Sequence, residues 1–179
     1  QAQGLVRRYG SEPTIINALL GLAPLMPQTL EANELLSEIT LAPMPGLLRL
    51  LEHGQACGLG MCVVTNAPRL NAEHMLQAMG LASRFEHVLV AEELARAKPD
   101  PLPYLTGLEC LGALAQNALA FEDSVPGVTA ASRAGIYTVG LSTSQSPQVL
   151  LEAGARLVVA DFEDVRLWEL IEGMSGGGT

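Results

Sequence analysis

Basic residues are scarce and scattered in this chain. Ten lysines and arginines face 19 acidic residues across 179 positions, a formal net charge of −9, and no Lys/Arg cluster occurs. That pattern excludes the basic footprint by which proteins neutralise nucleic-acid phosphates or anionic membrane surfaces. A substrate phosphate would have to be met locally, by a lysine, backbone amides and a metal. Cysteine is scarce too. Cys57, Cys62 and Cys110 are odd in number and form no CxxC pair, which argues against a disulfide framework and for reduced, mostly buried thiols in a cytoplasmic protein. His53, His74 and His87 lie far apart with no ligand spacing, which argues against a zinc site. No apolar run reaches the ~20 residues of a membrane span, and no signal peptide is visible. No aspartate precedes Asp100, and the chain opens on Gln1 rather than Met.

Apolar surface is what the sequence has in quantity. Apolar residues make up 49% against 16% charged, enough for a core and without the signature of disorder. The length suits one domain, or a core with a small accessory domain. Residues Gln1–Ala42 read as helical: Ser11 can cap a helix with Pro13 in its first turn and Ile15, Ile16, Leu19, Leu20 and Leu22 on one broad face. Pro24 and Pro27 break it, and Thr29 can cap a second helix carrying Leu30, Leu35, Leu36 and Ile39. The Pro/Gly stretch Ala42–Gly46 is the expected domain boundary. It leaves 1–42 as a small helical domain, 43–173 as the main domain and 174–179, MSGGGT, as a flexible tail.

Beyond the boundary, helical patterns alternate with short apolar strands. The strands are expected at Met61–Thr65, His87–Ala91, Ala118–Phe121, Ile136–Leu141 and Arg156–Ala160. Such alternation predicts an α/β fold, a Rossmann-like parallel sheet with helices on both faces. Right-handed crossovers then bring every strand tip to one edge, where open α/β sheets bind their ligands. Three features fall at that edge: Thr65-Asn66, Lys98 and Glu122-Asp123. A hydroxyl and backbone N–H groups near a helix start suit an anion. Lys98 stands in RAKPDP, where Pro99 and Pro101 stiffen the loop and fix its direction, and can act as a point charge on phosphate. Two adjacent carboxylates at a strand end suit Mg²⁺, which takes a few carboxylate oxygens and keeps room for phosphate and water. Each feature also has an ordinary structural reading, as a helix cap or a solvated loop lysine.

The segments VVTN (63–66), AKPDPLPY (97–104) and FEDSVPGVTAASRAG (121–135), in that order, resemble the second, third and fourth motifs of the haloacid dehalogenase superfamily. The resemblance is nearest to its phosphatases and β-phosphoglucomutase-like members with a small helical cap. It covers roughly Pro45 to Leu141, and 1–42 resembles part of such a cap. The third and fourth motifs together are the specific part. The resemblance implies that Thr65 and Asn66 hold a transferring phosphoryl group. It gives Lys98 a bridge between phosphate and nucleophile, and Asp123 a bond to Mg²⁺ with help from Glu122 directly or through water. Ser124 would brace the metal loop. It further implies a small phosphorylated metabolite as substrate, of the sugar phosphate or phosphoglycolate type, and an aspartyl-phosphate route. The sequence sets no oligomeric state.

One departure weighs against the agreements. The family's first motif, Asp-x-Asp-Gly-Thr after an opening strand, has no match among these residues. Its strand would belong in the sheet's centre, between Met61–Thr65 and Ala118–Phe121, and without it two apolar strands would face a gap. The expectation is a chain cut inside the cap, inactive as it stands, from an active parent. The alternatives are a non-catalytic relative that binds a phosphorylated ligand or partner, and a phosphomutase sharing the same metal and phosphate shell.

Overall fold

The computed structural model describes residues 14–16 and 43–175. The elements follow as β1 (Thr14–Ile16), α1 (Leu47–Ala56), β2 (Met61–Thr65), α2 (Arg69–Ala78), β3 (His87–Val90), α3 (Leu102–Leu111), β4 (Ala118–Glu122), α4 (Val125–Arg133), β5 (Tyr137–Leu141), α5 (Pro147–Ala153), β6 (Leu157–Val159) and α6 (Val165–Ser175). All strand pairs are parallel, in the order β3-β2-β1-β4-β5-β6.

The alternation of side chains along each strand sorts them into two layers. Met61 and Val63 of β2, Leu119 and Phe121 of β4, and Val139 and Leu141 of β5 face a core completed by Leu50 of α1, Met75 of α2 and Trp168 of α6. Cys62 and Val64 of β2 and Ala118 and Ala120 of β4 face the opposite layer, with Tyr104 and Leu108 of α3 and Ala130 and Ala131 of α4. The small alanines on that second face let α3 and α4 approach the sheet closely. Each fully buried leucine or phenylalanine is worth about 1.5–3 kcal/mol relative to exposure, so this double-sided core explains the nearly continuous apolar strands.

The centre of the sheet differs from expectation. Thr14–Ile16 was expected inside a helix, and the slot between β2 and β4 was expected to be open. Instead Thr14–Ile16 fills that slot as an extended strand, with Ile15 level with Met61 and Leu119. A run of three β-branched residues after a proline favours extended backbone over helix, and two strands with unpaired backbone edges supply the partner. The other helical expectations for 1–42, and the cap they would form, lie outside the described residues.

Several boundaries also move. Glu122 is the last residue of β4 rather than the first beyond it. The closing helix runs through Ser175, so Met174 is helical rather than part of a tail. The thiols are less buried than expected: Cys62 is buried, with its pKa pushed up to about 12 chiefly by burial, whereas Cys57 and Cys110 are exposed and all three are free. Gly112, Gly135 and Gly154 lie at positive φ just past α3, α4 and α5, where a glycine ends a helix without a Cβ penalty.

Candidate functional site

The C-terminal tips of β2 and β4 carry the expected residues. β1 lies between these two strands, and its last described residue, Ile16, is level with Cys62 and Ala120. Val64 and Glu122 therefore stand two residues beyond that point. Lys98 spans the opening: its ammonium donates to the Val64 carbonyl oxygen at 2.7 Å and to Glu122 Oε1 at 2.5 Å. Its side chain is 3% exposed and that of Glu122 fully buried. The lysine expected on a loop is thus a buried tie between two strand tips. It is also the single lysine of the 179 residues. Burial pulls the ammonium's pKa down, and Glu122 opposes that pull by charge and hydrogen bond.

Glu122 falls on the face of β4 shared with Ala118 and Ala120, which aims its carboxylate at α3 and α4. The Tyr104 hydroxyl, on α3, donates to the same Oε1 that Lys98 uses, and the ammonium lies 5.3 Å from the Tyr104 ring centroid. On the α4 side, a Cβ at Gly127 would overlap the Glu122 carboxylate. The glycine clears the space in which that carboxylate sits. Ser124 caps α4, its Oγ accepting the Gly127 N–H at 3.2 Å, so it braces the turn that carries the acids.

Asp123 follows the strand and is 1% exposed. Burial first, and the neighbouring Glu122 second, push its carboxyl up to about 7. Thr143 Oγ1 donates to its Oδ2 at 3.4 Å, and Ser144 Oγ to its carbonyl oxygen at 3.5 Å. A carboxyl so placed gains from a cation that lets it ionise. Among the described residues no three His, Cys, Asp or Glu side chains form a metal cage. Mg²⁺ is commonly held by one or two carboxylates with phosphate and water completing the shell, and Asp123 with Glu122 fits that pattern.

Thr65 is buried at the end of β2, and its Oγ1 accepts the Ala67 N–H at 3.0 Å. That closes a turn rather than capping α2, whose N-cap is Pro68 with no side-chain bond. The hydroxyl proton of Thr65 is left to donate elsewhere. Asn66 is exposed in the same turn. Among the described residues no hydrogen bond joins Thr65 or Asn66 to Lys98; the shared strand edge gathers them. Pattern reasoning passed over Tyr104, Gly127, Thr143 and Ser144. Tyr104 read as one more apolar helix position, although a buried phenol needs a partner for its hydroxyl.

Comparison with known proteins agrees with this architecture. A family model described as haloacid dehalogenase-like hydrolase matches residues 8–141. Validoxylamine A 7'-phosphate phosphatase of Streptomyces hygroscopicus subsp. limoneus is 36% identical over 121 residues, 68% of this chain and 56% of that protein. Phosphoglycolate phosphatase of Rhodospirillum rubrum is 36% identical over 124 residues, 69% of this chain and 52% of that one. The crystal structure of CbbY from Rhodobacter sphaeroides in complex with phosphate superposes with a TM-score of 0.67 at 25% identity, covering 74% of this chain and 60% of that one. The chain thus spans about half the length of the two curated relatives. The parallel sheet, the motif order along its carboxyl edge and the family match over most of its length agree: the chain belongs to the haloacid dehalogenase-like hydrolase family.

Proposed function

We propose that Thr65, Asn66, Lys98, Glu122 and Asp123 are the phosphoryl- and metal-binding part of a Mg²⁺-dependent phosphatase. Its substrate would be a small phosphorylated metabolite of the sugar phosphate or phosphoglycolate type. The observation that carries this reading is Lys98, a lysine buried between the tips of β2 and β4, with Glu122 as its salt-bridge partner among the described residues. A buried cation beside a buried acid serves an incoming dianion better than it serves stability. The phosphatase relatives support the reaction class.

In this reading the Lys98 ammonium neutralises a phosphoryl oxygen, and the Thr65 hydroxyl donates to a second. The Asn66 amide, exposed in the turn, reaches a third. Asp123 and Glu122 would hold Mg²⁺, which supplies charge neutralisation and orients the phosphoryl group. Gly127 and Ser124 keep the acids in place, and burial of Lys98 and Asp123 keeps water from weakening their fields.

No aspartate precedes Asp100, and β1, beside the site, carries Thr-Ile-Ile followed in sequence by Asn17-Ala18-Leu19. An aspartyl-phosphate route would therefore draw its nucleophile from residues beyond these 179. The carboxylate-free β1 favours a second reading, in which the chain binds a phosphorylated ligand without turning it over. Calorimetric titration of the chain with inorganic phosphate and Mg²⁺, beside an aryl phosphate hydrolysis assay, tests both. Binding without hydrolysis by this chain is expected. Hydrolysis that appears only in a longer form with an upstream Asp-x-Asp strand selects the phosphatase. A longer form that has no such strand selects the binding protein, and absence of phosphate binding rejects both.

A further inference from the structure

Two donors converge on one carboxylate oxygen in the second layer. Glu122 Oε1 accepts from the Lys98 ammonium at 2.5 Å and from the Tyr104 hydroxyl. Tyr104 is fully buried on α3, and its ring flanks the same ammonium. The three groups come from the loop before α3, the first turn of α3 and the end of β4. Nothing local holds them together.

We propose that Tyr104 is a positioning residue for Lys98. A carboxylate oxygen accepting from one donor can swing about its χ angles, whereas one accepting from two convergent donors is pinned. By fixing Glu122 Oε1, the Tyr104 hydroxyl fixes the second anchor of the ammonium, the first being the Val64 carbonyl. An ammonium has three N–H groups. Among the described residues two are spent, on Val64 and Glu122, and in this proposal the third meets a ligand oxygen. Its direction is then decided by the two anchors. Loss of the phenol hydroxyl removes one of the two donors on Oε1 and loosens the ammonium's second anchor, while the ring of phenylalanine keeps the packing and the contact with the cation. Tyr104 touches no phosphate itself and acts through Glu122.

The inference rests on the phosphate-site reading above, and the lone lysine makes it measurable apart from that reading. In a chain labelled with ¹⁵N at lysine side chains, one ammonium resonance belongs to Lys98. It is expected to be visible and slowly exchanging in the wild type, with cross-relaxation to the Tyr104 ring protons. Tyr104→Phe is expected to broaden that resonance or speed its exchange at least severalfold. The same variant is expected to weaken inorganic phosphate binding in the presence of Mg²⁺ by about tenfold, as loss of a supporting hydrogen bond commonly does, with little change in melting temperature. An unchanged ammonium signal and unchanged phosphate affinity in Tyr104→Phe overturn the positioning role and leave the phosphate site standing. A wild type that binds no phosphate overturns the site and the inference together. If Tyr104→Phe does not fold, the wild-type spectrum still decides: absence of a protected ammonium near the Tyr104 ring overturns the proposal.

Discussion

Two ion pairs lie at the carboxyl edge of the sheet, Lys98–Glu122 and Arg69–Glu93, and water separates their roles. The Arg69 guanidinium pairs with both oxygens of Glu93, reaches Glu73 and donates to the Val88 carbonyl oxygen. Its side chain is 34% exposed and that of Glu93 51%. Arg69 has more partners, yet each is a group that water solvates nearly as well once the contact breaks. Among the described residues Lys98 has two hydrogen-bond partners, and its burial leaves water little room to replace either. The number of contacts is a poor guide to what a charge is for. A buried ion pair is weak evidence of stability, since replacing it with apolar residues is often neutral, while removing one partner is severe. Under the proposed function, the pair that adds little to folding is the one that would meet a ligand.

The largest effect is expected on deleting the acid of the buried pair. Glu122→Ala leaves the Lys98 ammonium in a dry site, with a loss of about 3–5 kcal/mol in urea denaturation. A loss no larger than that of a surface variant would show that the two pairs are alike after all. The next effect sharpens the contrast through pH. Asp123 binds a proton in the fold up to about 7 because of burial and Glu122, above its unfolded value. Its contribution to the stability of the metal-free chain is therefore present below that unfolded value and lost as pH rises through about 7. Mg²⁺ must displace the proton, so its affinity is expected to fall by about tenfold for each pH unit below 7. Calorimetry at pH 5, 6, 7 and 8 reads that slope, and a flat profile would remove Asp123 from the metal site. The smallest effect is expected on the exposed side. Arg69→Ala should leave phosphate binding unchanged and shift the denaturation midpoint within experimental error; a change in phosphate affinity would extend the site beyond the described tips.

Much of this arrangement is legible without coordinates, and where it is not, the reason is distance along the chain. The helix stops at Gly112, Gly135 and Gly154 and the strand cores around Val63, Leu119 and Val139 follow from local pattern, because periodicity and turn chemistry act over a few residues. Thr65, Lys98 and Asp123 stand out by motif. The Thr14–Ile16 strand does not, because three residues are too few to outweigh the apolar helical pattern that Ile15 and Ile16 share with Leu19, Leu20 and Leu22. Only the paired edges of β2 and β4 decide between the two.

The sequence alone settled the alternation of strands and helices, the single edge on which the polar residues gather and the absence of any aspartate before Asp100. Tertiary structure alone decided that Lys98 is dry, that Tyr104 shares its carboxylate oxygen and that Gly127 makes room for that carboxylate. Hydrophobic period and backbone preference are properties of neighbours in sequence. The surroundings of a charge are made by residues 6 to 34 positions away, and they exist only once the sheet has assembled.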